Sequence, residues 1–227
     1  MESFREDFDN RSGEILAYLD LLKFIENAGA EIVSKKTKKE FFVSSEARKT
    51  LKGTIYILLY NLVESTMREA ICFIHDELYS KKISFDDLGD GLKKEIIRRI
   101  KNSSVNLEQI MNGLKNDISC GITISTFNKK KLFSGNIDKD EIVEKSKIYG
   151  FSVSSDYKHT KHGESLFTVK QHRNDLAHGN VSFSEIGKNV SYEDIEIISL
   201  EVIAYLDAIS ENIEKYIHNR NFLAGSS

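Results

Sequence analysis

The residues best equipped for chemistry are Arg173 and His178, in the run Arg173-Asn174-Asp175-Leu176-Ala177-His178-Gly179. Arginine is a permanent, fork-shaped phosphate binder, and histidine exchanges a proton near neutral pH. A site that cleaves a phosphodiester needs those two functions close together. On a helix, residues four apart share a ridge, so Lys170, Asn174 and His178 align, with Arg173 one position around. Asn174 can hydrogen-bond the imidazole and fix its tautomer. The carbonyl end of the helix favours imidazolium at His178, while Arg173 and Lys170 oppose it. A proton affinity balanced near neutrality suits general acid–base catalysis. The same residues admit a structural reading, in which Arg173 caps carbonyls or pairs with Asp175 and His178 merely ends a helix.

The elements that must position these residues are mostly helices. The chain of 227 residues has no proline, which suits long helices because proline breaks their interiors. Phe4, Phe8, Ile15, Leu19, Leu22 and Ile25 set a helical period over the first thirty residues, which Gly29 and the run 34–39 end. A second helix is expected from about Ser44 to Tyr79. Within its apolar face Asn61 and Glu64 stand three apart on one side, where a buried carboxylate needs a partner or water. A turn at 85–88 and helices near 90–102 and 104–118 follow, the first with a basic surface (Lys93, Lys94, Arg98, Arg99, Lys101).

The period then changes. Residues 120–127 alternate and are β-branched, which reads as a strand, and 151–154 could pair with it. Asn136 or Asp138 starts a helix ending at Gly150, and residues 138–141 resemble a capping box with Asp in place of Ser. The segment 156–163 reads as polar, basic and mobile. A helix over 164–178 stops at Gly179. After a loop at 182–191, a last helix runs from about Tyr192 to Asn221, with Ser191 as its cap. These features predict one helical domain over 1–227, with a small β-containing insertion at about 119–163 and a flexible tail at 222–227.

Composition narrows the function classes. A net charge of −3 excludes a globally basic nucleic-acid binder but leaves room for local basic patches. The two cysteines, Cys72 and Cys120, fit no disulfide or metal framework, and Cys72 lies in an apolar run that reads as core. His159 and His162 lack the cysteines or carboxylates that would complete a metal site. No metal or cofactor is expected. The charged amino terminus resembles no signal peptide, and no apolar run reaches the roughly 20 residues of a membrane span. A soluble, cytoplasmic protein is the expectation.

The motif resembles that of the HEPN superfamily: an arginine, a polar neighbour, and a histidine with four to six residues between. Arg173-Asn174 and His178 match at the shortest spacing. The resemblance extends through Leu176-Ala177-His178-Gly179 and Ser182–Gly187 to the terminal helix, and to the segments Leu59–Thr66 and Leu132–Asp138. It implies a mainly α, HEPN-type antiparallel helical bundle with a small β-strand or hairpin insertion. It also implies a homodimer whose motifs share one composite cleft, and a metal-independent endoribonuclease. The implied reaction is attack of the RNA 2′-hydroxyl on the adjacent phosphate, leaving a cyclic phosphate and a 5′-hydroxyl. Arg173 and His178 would be catalytic, with Asn174, Glu64, Asn61 and Asp175 in support. Lys170, His172, Lys158 and Lys161 would contact RNA, such as tRNA or mRNA. Relatives of this kind are toxins or antiviral-defence effectors, which implies an antitoxin or defence-system partner. A known toxin subgroup has Tyr two residues after the motif His, where its antitoxin modifies it; here that position is Asn180. The alternative is a non-catalytic HEPN module, binding RNA or nucleotides or serving as an adaptor subunit.

Overall fold

In the computed structural model, residues 2–26, 31–102, 132–133 and 135–225 are described. In chain order the elements are α1 (Glu2–Glu26), β1 (Glu31–Val33), β2 (Glu40–Phe42), α2 (Ser45–Ser80), a 3-10 turn (Phe85–Asp87) and α3 (Asp90–Asn102). There follow α4 (Lys139–Tyr149), α5 (Tyr157–Thr160), a 3-10 turn (Lys161–Gly163), α6 (Ser165–Ala177), α7 (Phe183–Lys188) and α8 (Tyr192–His218). The chain is mainly α. The expected helix 104–118, the strand 120–127, Gly29 and Cys120 lie outside the described residues.

Two compact units form: residues 1–65 with 156–206, and residues 66–155 with 207–227. In the first, the apolar stripe of α1 is buried as its period predicts, with Leu22 and Ile25 at 0% and 1% exposure. Ser44 caps α2, its Oγ accepting from the Ala47 N–H at 3.1 Å. Tyr18 donates its hydroxyl to the Leu51 carbonyl at 2.8 Å, tying α1 to α2. Helix α7 falls within the segment 182–191 expected as a loop. Ser182 and Glu185 form a capping box there, which supports so short a helix. Its contact with α2 is backbone on backbone: a Cβ on Gly187 would collide with the Lys49 carbonyl, and one on Gly53 with that of Phe183. Only glycine permits this approach at both positions.

Among the described residues a small two-stranded sheet lies at 31–42. Strands β1 and β2 are antiparallel, with Ile32 opposite Phe41 and Val33 opposite Glu40, and the lysine-rich run expected as a loop forms their turn. Three-residue strands are too short to display an alternating pattern in sequence. Residues 151–154, expected as a strand, have no regular structure.

The second unit contains α3 and α4. Asp138 caps α4 as expected, accepting from the Glu141 N–H at 3.0 Å, and Gly150 ends it in a left-handed conformation. Cys72 is buried at 5% exposure, in keeping with its apolar run. One of the basic residues expected on the surface of α3 turns inward. Arg99 Nε donates to Glu95, itself 6% exposed, at 2.8 Å, and Arg99 Nη2 donates to the Tyr149 hydroxyl at 2.6 Å. The phenol thus keeps its own proton for His75 Nε2, 2.9 Å away. Burial, reinforced by Arg99, holds the His75 imidazole well below its ordinary 6.5. Phe222 and Ala224, within the expected flexible tail, are docked: Phe222 is 1% exposed and the Ala224 N–H donates to the Asp87 carbonyl at 2.8 Å. Phe222 supplies the aromatic anchor, packed edge-on against Tyr216.

Two outcomes test these contacts. Gly187→Ala forces a Cβ against the α2 backbone and is expected to cost about 3 kcal/mol, as overpacking does; an unchanged thermal midpoint refutes the contact. His75 stays neutral when folded and takes a proton when unfolded, so its contribution to stability is present above pH 6.5 and is lost as pH falls below it. Denaturant titrations between pH 7.5 and 5 are expected to show that loss, and His75→Gln is expected to flatten it.

Candidate active site

Helix α6 carries the motif, and all the residues anticipated for the site belong to the first unit. The helix is anchored by buried Leu166 and Val169, and by the Ser165 hydroxyl, which donates to Glu201 on α8 at 2.5 Å. It ends at Ala177, with His178 as its C-cap residue and Gly179 left-handed at φ 68°. The Gly179 N–H donates to the Leu176 carbonyl and the Asn180 N–H to that of Asp175, so the expected glycine stop is present.

Arg173 faces inward. Its guanidinium carbon lies 3.5 Å from the centroid of the Tyr60 ring on α2, and Tyr60 is 2% exposed. Nη1 donates to Asn174 Oδ1 at 2.7 Å. A cation flat on a buried aromatic face is stabilised by about 2 kcal/mol. Asn174, anticipated as the residue that orients His178, therefore supports Arg173 instead. His178 is exposed, and among the described residues its imidazole meets no hydrogen-bond partner. The structure places Arg173 and His178 at the same end of one helix but does not bring their side chains into hydrogen-bond contact.

The supporting residues divide similarly. Asp175 accepts from the Asn180 side chain at 3.4 Å, holding the turn after His178 rather than pairing with Arg173. Tyr56, Tyr60 and Glu64 follow at four-residue steps along one ridge of α2, Glu64 half-buried and Asn61 exposed beside it. His172, anticipated as an RNA contact, is half-buried with its ring 4.4 Å from that of Tyr56. Burial lowers its proton affinity, against a smaller opposing pull from Asp175. Lys170 lies over Phe167 and Lys161 over Tyr157, while Lys158 is exposed on α5. Tyr56 and Tyr60 were not singled out from the sequence. The available signal was their four-residue spacing into Glu64, which marks one ridge with a polar end.

A family model, HEPN_MAE_28990-like HEPN, matches residues 1–222. The chain belongs to that HEPN family. HEPN is an all-helical fold, in keeping with the architecture above, and membership suggests a nuclease or otherwise RNA-related role. HEPN domains often bind RNA and dimerise. Neither the curated proteins nor the solved structures include a significant match to the chain. Among the described residues of this HEPN chain, no helix is long and apolar enough to cross a membrane, and no group of His, Cys, Asp and Glu is arranged to hold a metal ion.

The Tyr60–Arg173 contact is testable by a double-mutant cycle. Tyr60→Leu and Arg173→Met are each expected to destabilise the protein, with a coupling energy of about 1–2 kcal/mol between them. Strict additivity in urea denaturation refutes the contact.

Proposed function

We propose that this HEPN protein is a cytoplasmic, metal-independent endoribonuclease acting as a homodimer, in the role of a toxin or antiviral-defence effector. The observation that carries the reading is the disposition of the motif. Arg173 is held on Tyr60 with Asn174 as its acceptor, beside an exposed His178 at a glycine-stopped helix end. In the proposed reaction His178 takes the proton of the RNA 2′-hydroxyl as that oxygen attacks the adjacent phosphorus. The bond from phosphorus to the 5′-oxygen breaks, a 2′,3′-cyclic phosphate forms, and the 5′-oxygen takes up a proton. Arg173 supplies positive charge where the non-bridging oxygens become more negative, a preorganised electrostatic contribution to catalysis.

Within a protomer Arg173 bonds Asn174 and not His178, which favours a composite site built from two motifs about a two-fold axis. The same pairing is the observation in favour of a second reading, a non-catalytic RNA-binding or adaptor module. The two readings part on activity. Purified protein is incubated with total RNA and with tRNA in excess EDTA, and the product ends are mapped. Cleavage leaving cyclic phosphate and 5′-hydroxyl ends is expected, reduced at least about 100-fold by His178→Ala, as for loss of a general acid–base group. Arg173→Lys, which retains the charge but loses the planar fork, is expected to lose most activity while staying folded. Binding without cleavage, alike in wild type and His178→Ala, selects the adaptor.

A further inference from the structure

The ridge of α6 that faces away from the core runs through Phe167, Gln171, Asn174 and His178. It is exposed over most of its length, Phe167 at 60%. A large aromatic so exposed on an otherwise well-anchored helix calls for a function. Lys170 Nζ stands 5.7 Å from the centroid of the Phe167 ring. Immediately before α6 the arrangement is repeated: Tyr157 is 51% exposed, Lys161 Nζ is 5.0 Å from its centroid, and the His162 ring is 5.2 Å away, tilted by 57°.

This second set sits on a strained but well-determined frame. Lys161, His162 and Gly163 are left-handed in succession, at φ 45°, 49° and 80°. Each non-glycine residue in that region costs roughly 1–2 kcal/mol. The surroundings impose it: a Cβ on Gly163 would come within 2.8 Å of the Tyr205 ring. Buried Thr160 donates to the Asp156 carbonyl at 2.8 Å and accepts from the His162 N–H at 3.0 Å. Strain held in this way is characteristic of functional segments. Its effect here is to present Tyr157, Lys161 and His162 outward, where the sequence suggested only a mobile basic loop.

We propose that the exposed ridge of α6, with the turn that precedes it, is a stacking track for single-stranded RNA. Tyr157 and Phe167 take the faces of unpaired bases, Lys161, His162 and Lys170 take the phosphates, and the strand is led to Asn174 and His178. The inference rests on the ribonuclease reading only for what happens at the end of the track. Exposed aromatic faces select bases that are out of a helical stack, whereas a duplex keeps its base faces buried. From Phe167 to His178 the ridge is about 17 Å long, room for a few nucleotides. Lys158, Lys161 and Lys170 supply the cations along this surface, interleaved with the carboxylates of Asp156, Glu164, Asp175 and Glu201, of which Asp156 is bonded to His159. The repeated pairing of an exposed ring with a lysine argues for RNA as the occupant, each ring offering a face to a base and the ammonium beside it a contact to the neighbouring phosphate.

The test is fluorescence anisotropy in the His178→Ala background with EDTA, using a labelled mixed-sequence RNA of about ten nucleotides, single-stranded or annealed to its complement. The single strand is expected to bind more tightly than the duplex. Phe167→Ala and Tyr157→Ala are each expected to weaken single-strand binding about tenfold, the loss typical of one stacked base, and Phe167→Tyr to retain it. Unchanged affinity in both alanine variants overturns the track, as does equal binding of the duplex. Loss of self-association in Phe167→Ala with unchanged RNA affinity also overturns it and gives the ridge to a second copy. If wild type cuts no RNA yet the stacking losses are found, the track stands and the nuclease reading fails. If wild type cuts RNA and the anisotropy does not respond, the nuclease reading stands and the track fails.

Discussion

The stacking of Arg173 on Tyr60 decides how the motif helix presents itself. A guanidinium withdrawn from water needs its charge and donors met, and the ring face with the Asn174 carbonyl oxygen answers part of that need. Because Arg173 is inward, the rotation of α6 is set. Phe167, Gln171 and His178 then point outward, and Leu166 and Val169 point into the core. The ring that receives the cation is itself fixed, since α2 is clamped by α7 at Gly53 and Gly187, where neither backbone can retreat. One inward-facing cation thereby determines which residues of the motif a ligand can reach.

Both ends of α6 are also defined. The left-handed run 161–163 feeds the chain into the helix against Tyr205, and Gly179 with the Asp175–Asn180 bond closes it. A helix located at both ends and along its inner face holds its outer face still, as a site that binds or reacts needs. The position two residues after the motif histidine, a tyrosine in one toxin subgroup, here has a structural use: Asn180 bonds Asp175 and completes the turn. Asn180 offers no phenol hydroxyl of the kind modified in that subgroup.

Much of this was legible in the sequence, for local reasons. The helices α1, α2, α4, α6 and α8 announce themselves through apolar period and through caps at Ser44, Asp138 and Ser191 or the stop at Gly179, all set by residues within one turn of each other. The hairpin at 31–42 and helix α7 were not legible, because three- and six-residue elements are too short to show a period. The side-chain partners were harder still. Asn174 lies within reach of both Arg173 and His178 on any helical wheel, and only the depth of Arg173 against Tyr60 decides between them. Arg99 reads as one more cation on a basic face, yet Tyr149 and His75, distant in sequence, draw it inward with Glu95. Spacing assigns residues to a face; it does not say which face another helix will cover.

That distinction bears on the motif itself. Five positions on a helix separate Arg173 from His178 by well over a full turn, so a helix that buries one turns the other toward solvent. A motif read only as two adjacent catalytic groups would pair the two side chains directly, and within a protomer Arg173 bonds Asn174 instead. On the proposed reading the separation has a use. The inward arginine fixes the helix and contributes its field from beneath, while the outward histidine can meet a strand lying along the ridge, together with the motif of a second protomer. The pairing that chemistry needs is then made by the RNA and the two-fold axis rather than by the spacing of the motif.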